Sequence, residues 1–204
     1  MLALAPSLAG LHFRGNRDYL HSTDLYPALT EYAQKQFSPK AFIQCLTIRQ
    51  TVSHQVRVDL NRPDKAFGSF RARYGTSEAK GWLIETDTPI SSRIPFDETT
   101  AMNEAIGGQG FATFNYLLPQ YSEIELVIVL AKIVASQEST EHWWMSRIDL
   151  RCPLRRISPL ACRLKRKVSN RYLTFDIHQA WEVIGSIHAI TGPARNLSDK
   201  GSNP

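Results

Sequence analysis

In HQVRVDL (54–60) apolar Val56, Val58 and Leu60 alternate with polar Gln55, Arg57 and Asp59. That period of two belongs to a strand with one covered face and one wet face. AFIQCLTIRQTV (41–52), just upstream, is rich in β-favouring residues. Downstream, NRPD turns the chain, and AFGSFRARYG (66–75) and KGWLIETD (80–87) predict two further strands of an antiparallel sheet. The period changes in HSTDLYPALTEYAQKQFSPK (21–40), where Leu25, Leu29 and Tyr32 make a helical stripe. Ser22, Thr23 or Asp24 can cap this helix, Pro27 suits its first turn, and FSPK ends it.

After a Pro- and Ser-containing connection (88–99) the pattern starts again. A helix is predicted over about 102–118, stopping before Pro119, and Ser122 with Glu125 has capping-box spacing for a second helix through about Ser136. Strands follow in HWWMSRIDLR (142–151), CRLKRKVS (162–169), RYLTFDIH (171–178) and EVIGSIHAIT (182–191). The order is therefore helix, four strands, one or two helices, four strands. With the echo of VDLNRP (58–63) in IDLRCP (148–153), it predicts a duplication: halves at 1–95 and 96–195, and a flexible polar tail at 196–204. The fold class is α+β, an antiparallel sheet covering its apolar face with a central helix.

Composition narrows the function little. With 43% apolar and 21% charged residues over 204 positions, the bulk of the chain is globular rather than disordered. A net charge of +5 suits nucleic acid, an anionic cofactor or an acidic protein partner without choosing among them. Three cysteines, Cys45, Cys152 and Cys162, form no CxxC pair and fit a reducing compartment. The opening MLALAPSLAG lacks the basic start of a signal peptide. IELVIVLAKIVA (124–135) contains Lys132 and falls short of the roughly 20 residues of a membrane span. A cytoplasmic protein is expected. That run, apolar on most sides, is either buried in its own fold or paired with another chain. The histidines show no ligand spacing, so no metal or other cofactor is expected.

AIGGQGFATFNYLL (105–118) sets Gly107, Gly108 and Gly110 at the front of an apolar stretch, although each Gly in a helix is about 1 kcal/mol worse than Ala. Either the backbone needs close helix–sheet packing there, or a ligand approaches it. MNEAIGGQGFATFNYL resembles the segment with which hotdog-fold acyl thioesterases open their central helix: Asn, then His-Gly-Gly, then an acidic residue seven positions on. Asn103, Gly107 and Gly108 match; Ile106 stands at the His position and Asn115 at the acidic one. The resemblance implies a hotdog fold and, with the duplication, a tandem of two hotdog repeats in one chain. It further implies acyl-thioester substrates on coenzyme A or an acyl carrier protein, with a Gly108 N–H polarising the thioester carbonyl and Asn103, Gly107 and Gln109 beside the substrate.

Within that frame Asn115 can orient water but cannot act as a base. Glu104 is the nearest carboxylate, or else a solvated first-turn acid. His21 and Asp24 flank the start of the first helix, as a general base with its partner or as a helix cap and its neighbour. Arg155, Arg156, Arg163, Lys165 and Lys167 suit an acidic carrier or the phosphates of coenzyme A; on a strand, Arg163, Lys165 and Lys167 point one way. The expectation is a thioesterase-like or dehydratase-like enzyme of a biosynthetic pathway, as a monomeric tandem or a homodimer. A non-catalytic hotdog module binding an acyl group or a protein is the alternative. Nucleic-acid binding through the basic 155–171 ridge is the third reading.

Overall fold

The structure, a computed structural model, describes residues 7–8 and 10–191; the tail expected at 196–204 lies outside them. Strand β1 (Phe13–Arg14) leads into helix α1 (Ser22–Gln36), followed by β2 (Phe42–Ile48), β3 (His54–Asp59), β4 (Gly68–Tyr74) and β5 (Ser77–Pro89). Strand β6 (Arg93–Ile94) and helix α2 (Glu98–Glu104) precede a hairpin of β7 (Ile106–Gly108) and β8 (Phe111–Phe114). Helix α3 (Glu123–Glu138) comes next. Strands β9 (Trp143–Leu150), β10 (Leu160–Val168), β11 (Tyr172–Gln179) and β12 (Glu182–Thr191) complete the order.

Ten strands form one antiparallel sheet in the order β3-β5-β4-β2-β9-β12-β11-β10-β8-β7. The first-half strands join the second-half strands at the β2–β9 pairing, fourth and fifth in that order, where Leu46 lies opposite Ile148. Helix α1 packs against β2, α3 packs against β8 and β10, and the two helices touch. An antiparallel sheet laid along its helices is the hotdog arrangement. Sheet residues Leu46, Ile148, Phe175 and Ile187 share one continuous core with Leu25 and Leu29 of α1 and Leu126 and Leu130 of α3. Helix α3 is buried on nearly all sides because the sheet covers one flank and α1 and α2 cover the others. No helix among the described residues is long and apolar enough to cross a membrane.

The helix expected over 102–118 does not form. Helix α2 stops at Glu104, and the glycines belong to the β7–β8 hairpin. Gly110 sits in its turn at φ +71°, a conformation open to glycine and strained for other residues. Gly108 lies opposite Phe111, and a Cβ there would stand 2.2 Å from the Phe111 ring. Strand β8 gains ladder partners along β10, from Leu160–Phe114 to Arg163–Phe111, which a helix could not use.

The echo between 58–63 and 148–153 joins places that differ in the fold, since β3 is an edge strand and β9 a central one. What recurs is a long helix followed by a strand at that junction: α1 with β2, and α3 with β9. Outward from the junction the orders are β2-β4-β5-β3 and β9-β12-β11-β10, so the two inner positions next to β2 and β9 are filled in opposite chain order while the outermost strand corresponds.

Strand β10 also departs from simple alternation. A bulge between Leu164 and Arg166 shifts its register, placing Arg163 opposite Asp176, Arg166 opposite Thr174 and Lys167 opposite Leu173. One extra residue reverses the facing of everything after it. Lys167 therefore turns to the helix side, where its Nζ meets the Glu138 carboxylate at 3.0 Å, and the ridge of Arg163, Lys165 and Lys167 is not a single row.

Candidate functional site

Both long helices begin with a reciprocal cap. At α1 the His21 backbone N–H donates to Asp24 Oδ2 at 2.7 Å, while the imidazole accepts from the Asp24 backbone N–H. At α3 the Ser122 N–H donates to Glu125 Oε2 at 2.7 Å, and the Ser122 hydroxyl accepts from the Glu125 backbone N–H. These pairs satisfy N–H groups that the first turn of a helix leaves without partners.

Arg14 joins the two caps. Its Nε lies 2.9 Å from Asp24 Oδ1, and its Nη1 donates to Glu125 Oε1. One guanidinium thus sits between two buried carboxylates from the first turns of neighbouring helices. Strand β1, which carries Arg14, is held in place by its pairing with β6 and by Arg93, whose Nη1 donates to the carbonyls of Gly15 and Arg17.

Burial dominates the protonation of this region. It pushes the Asp24 carboxyl upward, against the opposing pull of Arg17, the His21 N–H and Arg14. It drives His21 well below the usual imidazole value, helped by the positive field of Arg17, Lys132 and His142. His21 is thereby a neutral acceptor. The two residues expected as a base and its partner each cap the other's backbone, and no hydrogen bond joins imidazole to carboxylate among the described residues.

Two cavities adjoin these caps. The smaller, about 170 Å³, is lined by His12, Arg14, Asp24, Pro27, Glu31 and Ile94, among others. The larger, about 620 Å³, runs from Tyr26, Thr30 and Gln34 of α1 past Ile124 to the 153–155 loop. Pro27 and Glu31 line both, so the two spaces lie next to each other along α1. The larger volume falls in the range of about 300–1,000 Å³ usual for small-molecule sites. Tyr26, Phe42, Ile124 and Leu154 give it apolar walls, while Lys40 and Arg155 supply positive charge.

No family model and no curated protein matches the chain. Solved structures do resemble it. The dehydratase domain of PpsC from Mycobacterium tuberculosis, in complex with C12:1-CoA, is 10% identical over 85% of each chain at a TM-score of 0.48. The dehydratase domain of the CurK module of curacin polyketide synthase is 10% identical, covering 89% of this chain and 84% of that one, at 0.47. A chain described as a thioesterase II of Thermobifida fusca is 13% identical, covering 87% and 88%, at 0.45.

The residues singled out in the sequence do not converge. Asn103, Glu104, Gln109 and Asn115 are exposed around the β7–β8 hairpin, and Glu104 accepts from the Tyr116 hydroxyl at 2.6 Å. Gly107 and Gly108 stand on a strand, so no helix N-terminus adds its dipole to a Gly108 N–H. Arg155 lines the larger cavity. Arg156 instead latches a loop, donating to the carbonyls of Leu118 at 2.7 Å and Tyr121 at 2.9 Å. Lys165 is paired with Asp176 at 3.0 Å, and Arg163 is exposed.

Sequence reasoning missed His12, Arg14 and the partnership of Glu125. His12 has no neighbour at ligand spacing, and Arg14 meets a carboxylate more than a hundred positions away. The capping-box pattern at Ser122 and Glu125 was the available signal, because it fixed one of the two carboxylates that Arg14 reaches.

Proposed function

We propose that the protein handles acyl thioesters along α1, with the acyl chain in the larger cavity and the thioester end in the smaller one. The observation that carries this is a pair of cavities sharing Pro27 and Glu31, the larger with Tyr26, Phe42, Ile124 and Leu154 on its walls and the smaller with the His12 imidazole. His12 is the proton-transfer group in this reading: its Nδ1 lies 2.5 Å from Ser92 Oγ, which orients the ring. Residues 1–95 and 96–195 then act as two hotdog-like halves meeting at the β2–β9 junction, a pairing completed within one chain.

A non-catalytic acyl-binding module is the second reading. It is favoured by the commitment of Asp24 and Glu125, the buried carboxylates nearby, to caps and to Arg14. Nucleic-acid binding through 155–171 draws less support, because Arg156, Lys165 and Lys167 already have partners.

Intact-protein mass spectrometry with acyl-coenzyme A and acyl-carrier-protein thioesters of several lengths separates these readings. Free acid or loss of water, abolished in His12→Ala, is expected for the enzyme. Complex without turnover selects the module. Neither complex nor turnover across the series contradicts the acyl-thioester reading.

A further inference from the structure

On the sheet face turned away from the helices, directly opposed residues form a row across six strands. It runs Arg71 (β4), Cys45 (β2), Asp149 (β9), Ser186 (β12), Asp176 (β11) and Arg163 (β10). Over its middle lies a cavity of about 270 Å³ whose lining includes Gln44, Arg71, Arg73, Arg151, Lys165 and Ser186. It shares no residue with the cavities along α1.

The charges there are unequally used. Asp149 receives Arg147 Nε at 2.5 Å and Nη2 at 2.8 Å, with His188 Nε2 at 3.4 Å. Asp176 is held by Lys165 at 3.0 Å. The two carboxylates lining the cavity are thus neutralised by neighbours. Arg71, Arg73 and Arg151 enter no ion pair among the described residues, although none of the three is stacked on an aromatic ring either. Gln44, at the β2 bulge between Ile43 and Cys45, forms part of the wall. Its amide oxygen is buried without a hydrogen-bond partner, so the amide can turn without breaking a bond.

We propose that this cavity is a binding site for a phosphate-bearing small molecule, its phosphoryl oxygens held by Arg71, Arg73 and Arg151. Guanidinium forks match phosphate geometry with two parallel N–H donors each, and three of them meeting at one concavity concentrate the field. The Ser186 hydroxyl and the Gln44 amide supply neutral donors beside them. The site is independent of the acyl-thioester reading.

Titration calorimetry on the full chain with inorganic pyrophosphate, ADP and glucose 6-phosphate tests the proposal. Saturable one-to-one binding of at least one probe is expected, weakened roughly tenfold or more in Arg71→Met/Arg73→Met. Arg163→Met lies on the same face outside the cavity and should leave the affinity unchanged. Circular dichroism melts confirm that both variants fold. Tighter ADP than pyrophosphate assigns a nucleotide; equal affinities assign the phosphates alone. Absence of binding at millimolar probe overturns the site. Loss of equal size in Arg163→Met, or preferential binding of a single-stranded oligothymidylate that both variants weaken alike, also overturns it in favour of a diffuse basic surface.

Discussion

Replacing Arg14 by Met removes a guanidinium from between two carboxylates while keeping much of its apolar stem. The side chains of Asp24 and Glu125 are only 1% and 6% exposed, and that of Arg14 is 19% exposed. Water cannot readily substitute for the lost cation. Removing one partner of a buried ion pair costs about 3–5 kcal/mol, because a charge is left uncompensated. In a domain of this size that lowers the melting temperature by roughly 6–20 °C. The deficit must shrink in acid. Burial already raises Asp24, and without Arg14 its carboxyl moves further up, so the native variant takes a proton before the unfolded chain does. Stability from such a raised group is present below the unfolded carboxylate value and is lost as pH rises through the folded one. The gap between wild type and variant is therefore widest near neutrality and narrows as pH falls toward the carboxylate range. Urea unfolding followed by circular dichroism at several pH values reads both features. Arg14→Met/Asp24→Asn/Glu125→Gln, which keeps the capping acceptors without their charge, should recover most of the loss. A deficit below about 1 kcal/mol, the same at every pH, would refute the reasoning by placing Arg14 among ordinary surface ion pairs.

Three further outcomes follow from the same structure. His21 is held neutral well below its ordinary value, so the unfolded chain gains a proton first and stability falls as pH drops below about 6.5; His21→Ser puts a hydroxyl acceptor at the N-cap in place of the imidazole and should flatten that part of a pH–stability curve. Gly185→Ala should cost about 1–3 kcal/mol or more, since its Cβ would lie 2.3 Å from the Asp149 carbonyl oxygen, whereas Gly108→Ala meets only the half-exposed Phe111 ring and should cost less in chemical denaturation. Arg156→Ala leaves the Leu118 and Tyr121 carbonyls without their donor and should lower stability by about 1–3 kcal/mol, with hydrogen exchange rising first in the 118–123 segment.

The sheet was largely legible because alternation survives in its strands: Val56 and Val58 are buried while Gln55 and Arg57 are not. Helix α1 showed itself through Leu25 and Leu29, and α3 through the Ser122–Glu125 spacing. The segment 106–114 misled because its apolar run is too short for a period to decide between helix and strand. Gly107, Gly108 and Gly110 opposed a helix in the way their propensity says they should, and a tertiary ladder with β10 made the hairpin the better outcome. The β10 bulge leaves no local signal, so Lys167 was assigned to the wrong face. The candidate site was least legible. His21 and Asp24 were correctly placed at a helix start, but Arg14 and His12 gain their significance only when β1 is carried across the first turns of α1 and α3.

The most direct test of the acyl-thioester account is to photolyse the protein with an acyl-coenzyme A bearing a diazirine at the end of its chain, and to map the attached peptides by mass spectrometry. Labels on the walls of the larger cavity, at Tyr26, Phe42, Ile124 or Leu154, suppressed by excess unlabelled acyl-coenzyme A and by Gln34→Trp, are the predicted result. Competed labelling at the β7–β8 hairpin, with those walls untouched and Gln34→Trp without effect, would contradict it.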